Sequence, residues 1–410
     1  MSESVQLLKP SSLSGRIISL DVLRGIAVLG ILIMNIQSFS MISEAYINPT
    51  AYGNLAGINK WVWIISHILA DSKFMSIFSM LFGAGVIIFT NRAIEKGHKA
   101  SVLFYRRMFW LLLFGLTHAY LIWYGDILTS YALCGSLVFL FRKSSIKTLL
   151  IVATVFFTIP ILLSIMAGLS IPSWPEQQYV ESVGQWLPPA EKVQAQIETY
   201  QGSWLTQMPA RIEQAVFLQT FLFLWATLWR VTAMMLLGIV LYKLDIITAK
   251  RSNAYYRRLS IIGLGSGIIL TGLGIVLNFN NNWHYDYSMF FGDQFNYLGS
   301  VAAALGFIGI VMMICKSHRF MRFKQIFASV GKMAFTNYIL MSIICMFIFY
   351  GNGLGLFGIV ERWEQVMLVI GIWSTILIIS HIWLKHFYFG PLEWLWRTLT
   401  YWHIQPFKKN

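Results

Sequence analysis

The apolar positions of this chain gather in ten long stretches separated by mostly short polar connections. A helix needs about 20 predominantly apolar residues to cross a bilayer, and that ruler marks residues 17–42, 61–89, 102–123, 127–141, 148–169, 215–242, 259–279, 297–315, 335–350 and 366–384. The fourth and ninth are the short ones. The pattern predicts an all-α, polytopic inner-membrane helical bundle of about ten transmembrane helices. The first stretch is longer than the apolar core of a signal peptide and ends without a small-residue cleavage site, so it is expected to remain as a helix.

One connection is long, residues 170–214, and it divides the chain into an N-terminal bundle of five helices (1–169), an extracellular insert (170–214) and a C-terminal bundle with an interfacial tail helix (215–410). Ile171-Pro172 and Leu187-Pro188-Pro189 punctuate the insert. Between them and the next span, residues 190–201 (AEKVQAQIETYQ) place Val193, Ile197 and Tyr200 on one helical face. Trp174, Trp186 and Trp204 would suit a helix lying on the outer membrane surface. A passive cap and a lid over a site both fit this pattern.

Composition agrees with the pattern. Of the 410 residues 57% are hydrophobic, 16% aromatic and only 12% charged, whereas soluble domains carry about a quarter charged residues. This excludes a soluble enzyme, a disordered chain and a nucleic-acid module. The formal charge of +14 is spread over alternate connections: Arg92 to Arg107, Arg142 to Lys147, Lys243 to Arg258 and Lys316 to Lys332, with Lys9, Arg16, Lys408 and Lys409 at the two ends. The remaining connections hold few cations and several acids, among them Glu44, Asp126, Glu181 and Asp286. Cations favour the cytoplasmic side, so both termini are expected there. Cys134, Cys315 and Cys345 have no metal-ligand spacing, and no metal is expected.

Ionisable groups inside a bilayer are expensive and usually face a protein interior. His67 and Asp71 are four residues apart, on one face of a helix, and Lys73 follows them. Arg230 lies near the middle of the sixth stretch and needs a partner, with Asp71 the expected one. These groups read equally as an interhelical salt bridge or as the charged wall of a cavity. His118 and Asp126 flank a very short turn. A histidine whose tautomer a carboxylate fixes is suited to general-base work, and the two would meet only if the chain folds back. Asp21 and Arg24, three apart at the start of the first stretch, read as an interfacial pair or a phosphate clamp, and Gly25 permits close helix approach. Asn35 and Asn337 are candidate cavity-lining amides. Residues 351–358 (GNGLGLFG) open no βαβ unit, so a re-entrant or flexible loop is expected there rather than a nucleotide fingerprint. At the C-terminus, Pro391 is placed to start a surface helix on which Glu393 and Arg397 form an i, i+4 pair.

Together these segments resemble the YeiB family, whose C-terminal half is catalogued as domain of unknown function 418. The resemblance covers nearly the whole chain. It is carried by SLDVLRGIAVLGILIMNI at 19–36, FSMLFGAG at 78–85, HAYLIWYGDIL at 118–128, GKMAFTNYILMSII at 331–344 and FGPLEWLWRTLTYW at 389–402. The DxxRG start of the first stretch is also similar to that of heparan-α-glucosaminide N-acetyltransferase-like membrane proteins. That similarity implies a transmembrane acyltransferase of a bacterial-type cell membrane, moving an acyl group from cytoplasmic acyl-CoA to an extracytoplasmic hydroxyl or amine. On this implication Arg24, oriented by Asp21, and Arg106 or Arg107 hold the phosphates of the donor. His118, or His67, acts as base with Asp126 or Asp71 assisting, while Arg230 or Asn35 stabilises the oxyanion. The loop after the first stretch lacks the histidine that the sugar acetyltransferases place there. The expected partners are the lipid bilayer, acyl-CoA and an unidentified acceptor, without nucleic acid and with a homodimer left open. An alternative is a transporter of a small amphiphile or anion, with His67, Asp71, Lys73 and Arg230 as its coupling site.

Overall fold

The computed structural model describes residues 17–409, so Lys9 and Arg16 lie outside the described residues. The described chain is a helical bundle. Its helices are α1 (Ile18–Ser40), α2 (Gly57–Leu69), α3 (Lys73–Glu95), α4 (Ala100–Thr117), α5 (Leu128–Val138), α6 (Ile146–Ser170), α7 (Glu176–Trp186), α8 (Ala190–Gln201), α9 (Met208–Gln219), α10 (Leu228–Lys243), α11 (Asn253–Asn280), the single turn α12 (Tyr285–Tyr287), α13 (Asp293–Lys316), α14 (Met321–Lys332), α15 (Ala334–Phe349), α16 (Arg362–His386) and α17 (Pro391–Tyr401).

Among the described residues eight helical segments are long and apolar enough to cross a membrane, and each falls on one of the ten apolar stretches. The fourth stretch forms the shorter apolar helix Leu128–Phe141, and the ninth is α15, which meets α14 at a 79° bend. The second stretch is two helices in one span, Gly57–Glu95, broken at residues 70–72, where Ser72 takes φ 61°.

The connections sort to two ends. At one, Lys243 donates to the Ser144 carbonyl (2.7 Å) and Lys316 to that of Arg251 (2.5 Å), which joins the basic connections of the sequence. At the other, Asn48 donates to the Trp186 carbonyl (3.0 Å), Trp186 Nε1 to the Trp283 carbonyl (2.8 Å) and Gln196 to Glu44 (3.0 Å). These are called the basic end and the insert end below. The insert is packed rather than loosely laid on the surface. Val193 and Ile197 pack against the main core and Tyr200 is buried in it, while Trp186 is enclosed with Trp63 and Trp283. The glycine-rich loop folds back over the end of α15, with Gly358 N donating to the Ser40 carbonyl (2.8 Å) and Gly351 N to that of Tyr200 (2.9 Å).

α1 is the axis. It packs on α3, α14, α15 and α16, and at its crossing with α14 a Cβ on Gly25 would stand 2.0 Å from the Phe327 carbonyl oxygen and one on Gly331 only 1.8 Å from that of Asp21. Only glycine admits this approach, in line with the small residues at membrane helix crossings. The segments before and after the insert therefore interlace around α1.

Candidate functional site

The polar groups within the bundle form two separate centres. The first is built on the end of α4. There the helix widens into a π-helical turn, His118–Ile122, of the kind that often marks functional positions, and the chain then doubles back into α5. His118 Nδ1 lies 3.0 Å from Asp126 Oδ1, with both side chains at most 1% exposed. Asp126 is held in turn by the Thr129 amide, which donates to Oδ2 at 2.7 Å. This carboxylate thus caps the first turn of α5, where the helix dipole favours an anion. A Cβ on Gly115 would lie 2.9 Å from Asp126 Oδ2 and 2.4 Å from the Thr129 nitrogen, so glycine is what lets α4 approach the cap. With Nδ1 facing a carboxylate, the proton of a neutral His118 resides on Nδ1 and its Nε2 carries the lone pair. That Nε2 is buried and without a hydrogen-bond partner.

Below this pair, toward the basic end, is a cavity of about 330 Å³. One face of α1 lines it, from Ile17 through Asp21, Arg24 and Val28 to Ile31, a length of roughly 21 Å at 1.5 Å per residue. Its charged lining comprises five cations, Arg24, Arg92, Arg107, Lys332 and Arg397, against two carboxylates, Asp21 and Glu393. These come from α1, α3, α4, α14 and α17. Toward the insert end the lining becomes Leu111, Ile127, Leu128, Tyr131 and Tyr338. The same face of α1 continues into a void of about 10 Å³ lined by Ile31, Asn35, Phe39, Tyr338 and Ser342, beyond which Phe39 stacks on Trp123 with ring centroids 4.0 Å apart. Tyr338 borders both spaces and its ring centroid is 5.1 Å from that of His118.

The predicted donor residues separate here. Asp21 and Arg24 pair at 3.2 Å and line the cavity, as does Arg107, whose guanidinium stacks 3.6 Å over Trp396. Arg106 points elsewhere: it donates to the Thr400 carbonyl (3.2 Å) and lies 3.7 Å over the Trp402 ring. Asn35 borders the small void. Asn337 is not a lining residue of either space; it ties α15 to α16 through Ser380 Oγ (2.9 Å) and also bonds the Val330 carbonyl (3.1 Å).

α17 is more than a surface helix. Pro391 does begin it, but Glu393 reaches across to cap α15, accepting from the amides of Phe335 (2.7 Å) and Thr336 (3.0 Å) and from the Thr336 hydroxyl (2.5 Å). Burial pushes this carboxyl up from its ordinary range, against the pull of those donors.

The second centre is His67, Asp71, Lys73 and Arg230. His67 Nδ1 is 3.0 Å from Asp71 Oδ2, although the helix ends between them. Asn296 links the rest, donating from Nδ2 to Asp71 (2.8 Å) and accepting at Oδ1 from Lys73 Nζ (2.6 Å). Lys73 also donates to the His67 carbonyl (2.7 Å). The expected Asp71–Arg230 pair is not formed among the described residues. Arg230 instead donates to Ser300 Oγ (2.7 Å), Ser76 Oγ (3.3 Å) and the Tyr297 carbonyl (3.2 Å), and lies 4.3 Å over the Tyr297 ring. The reason is that α13 and α3 supply uncharged partners, Ser300 and Tyr297 from the one and Ser76 from the other. None of these four residues lines the cavity of the first centre, and among the described residues no group of three or more His, Cys, Asp or Glu could hold a metal ion.

Apolar helices of this length around buried polar centres define a polytopic α-helical membrane protein. The comparisons narrow the class. The model of the family described as "Protein of unknown function (DUF418)" matches residues 241–403. The chain is 33% identical over 422 residues to "Uncharacterized protein YxaH" of Bacillus subtilis (strain 168), with 98% of each chain covered. It is 30% identical over 395 residues to "Uncharacterized protein YeiB" of Escherichia coli (strain K12), covering 94% of this chain and 96% of that one. The chain belongs to the YeiB/DUF418 family.

Proposed function

We propose that the protein is a transmembrane acyltransferase that draws acyl-CoA into the cavity from the basic end and passes the acyl group to a hydroxyl or amine arriving from the insert end. The supporting observation is a cavity with five cations in its lining and, toward the insert end, Tyr338, against which the His118–Asp126 pair packs without itself lining the space. In this reading the basic end faces the cytoplasm, in keeping with the bias of cations toward that side, and the protein is a multi-pass component of the cell membrane.

Arg24, Arg92, Arg107 and their neighbours take the phosphates of the donor, for which guanidinium groups are suited. The apolar lining takes the arm that carries the thioester, bringing the carbonyl carbon to the end near Tyr338. His118 Nε2 accepts the proton of the acceptor as its oxygen or nitrogen bonds to that carbon. The tetrahedral intermediate collapses with cleavage of the C–S bond, and the imidazolium, steadied by Asp126, returns the proton to the departing thiolate. Atoms and protons balance with no further reactant. A solute carrier built on His67, Asp71, Lys73 and Arg230 has less support, because those groups are bonded to one another, to α13 or to α3 and stand apart from the cavity.

The test is thermal stabilisation of the purified protein by acetyl-CoA and longer acyl-CoAs, since a ligand that binds the folded state alone stabilises by RT ln(1 + [L]/Kd). Saturable stabilisation is expected, weakened in Arg24→Ala and kept in His118→Ala. No shift with any acyl-CoA, in protein shown to be folded, overturns the proposal.

A further inference from the structure

We propose that Tyr338 is a catalytic residue whose hydroxyl donates to the carbonyl oxygen of the acyl thioester; this rests on the acyl-CoA reading above. Two tyrosines stand at the inner end of the cavity, and their hydroxyls are held differently. That of Tyr131 is fixed by Ser79 Oγ at 2.9 Å, with the Met75 carbonyl at 3.4 Å. That of Tyr338 donates a long bond, 3.3 Å, to the Gly125 carbonyl, and the Ile127 backbone faces its oxygen. Tyr338 is buried, lines both the cavity and the small void, and packs beside His118. It thus touches both the space for the donor and the base, within reach of a carbonyl brought to that end of the cavity. The five cations of the lining cannot take this role while they hold phosphates at the opposite end.

When the acceptor atom bonds to the carbonyl carbon, the C=O electron pair moves onto oxygen and the Tyr338 hydrogen bond strengthens. It relaxes again when the C–S bond breaks and the carbonyl reforms. Tyr338 keeps its proton throughout. A donor aimed at the oxygen on which charge develops, in a site that excludes water, favours the transition state.

The experiment compares the binding of acetyl-CoA with that of S-ethyl-CoA, a thioether that lacks the carbonyl oxygen, to the full-length protein in detergent. Wild type is expected to prefer acetyl-CoA by roughly tenfold, the worth of one hydrogen bond made in a dry site. Tyr338→Phe, confirmed as folded by its thermal midpoint, is expected to bind the two equally and to bind S-ethyl-CoA as wild type does. Tyr131→Phe is expected to keep the preference. Wild type that does not discriminate, or Tyr338→Phe that still does, overturns the role of Tyr338 and leaves the acyl-CoA reading standing. Wild type that binds neither compound overturns that reading itself. Should Tyr338→Phe not fold, 3-fluorotyrosine at position 338 replaces it: a preference altered from that of wild type supports the role, and an unchanged one overturns it.

Discussion

Both polar centres pair a histidine with an aspartate at 3.0 Å, yet they are built to opposite ends. Around His67 the charges are consumed: Asn296 joins Asp71 to Lys73, and α13 supplies the Ser300 hydroxyl and the Tyr297 carbonyl to Arg230. Around His118 one ring nitrogen is left without a partner, and a cavity with a cationic mouth stops at the neighbouring tyrosine. Buried charges tied to one another and to neighbouring helices, with only Arg230 Nε left over, cross-link the bundle. A buried nitrogen with a bond to spare, next to a space, is a reagent. Both centres pair His with Asp and each keeps one buried nitrogen without a partner, and what separates them is the cavity that reaches Tyr338 beside His118 and none of the four residues of the His67 centre.

If that contrast is right, substitutions in the two centres fail differently. The largest effect is expected from Asp71→Ala, which strands Lys73 in the bundle; breaking a buried pair in this way costs about 3–5 kcal/mol. The thermal midpoint should fall sharply while the molecules that remain folded bind acyl-CoA with unchanged affinity, and a stable Asp71→Ala protein would dissolve the contrast. Next comes His118→Ala, which should leave acyl-CoA binding intact but lower acyl transfer by about 100-fold or more, the usual worth of a positioned base. Arg107→Ala should weaken acyl-CoA by roughly tenfold, since it removes a charge-assisted contact, and leave S-ethyl-CoA and acetyl-CoA ranked as before.

The smallest effect concerns Glu393. Because its carboxyl is raised by burial above the ordinary 4.5, the fold favours the protonated form. Its stabilising share is therefore complete below about pH 4.5 and is lost as pH rises through the native value. Glu393→Gln, a neutral mimic, should flatten the dependence of the midpoint on pH over that window, and a curve parallel to wild type would contradict the assignment.

The contrast was half legible in the sequence. Apolar length alone located the spans, and the spacing of His67 and Asp71, of Asp21 and Arg24, and of His118 and Asp126 pointed to three pairs that the structure forms. What could not be read was which helices stand beside them. Asn296 and Ser300 are ordinary polar residues, one just before and one at the start of the eighth stretch, and nothing local says that they satisfy Lys73 and Arg230. The sequence therefore points Arg230 to an intramembrane acid, Asp71, rather than to these neutral groups. Arg92 and Lys332 read as connection charges and Arg397 as half of a surface pair with Glu393, because a cavity assembled from five helices has no linear spacing to announce it. Tyr338 had a signal, a polar atom next to Asn337 in a short apolar stretch, but helical geometry turned one of the two toward the cavity and the other toward Ser380.

The 79° corner between α14 and α15 places Lys332 at the end of one arm and Tyr338 in the second turn of the other. Both arms border the same cavity, so a molecule touching both residues acts as a brace across a joint. Its grip would fix an angle as well as fill a hole. Because Glu393 clasps the first amides of α15, bracing that joint also stiffens the seat of α17, and slowed amide exchange at Met333 and Phe335 would report ligand at a distance from any charge it neutralises.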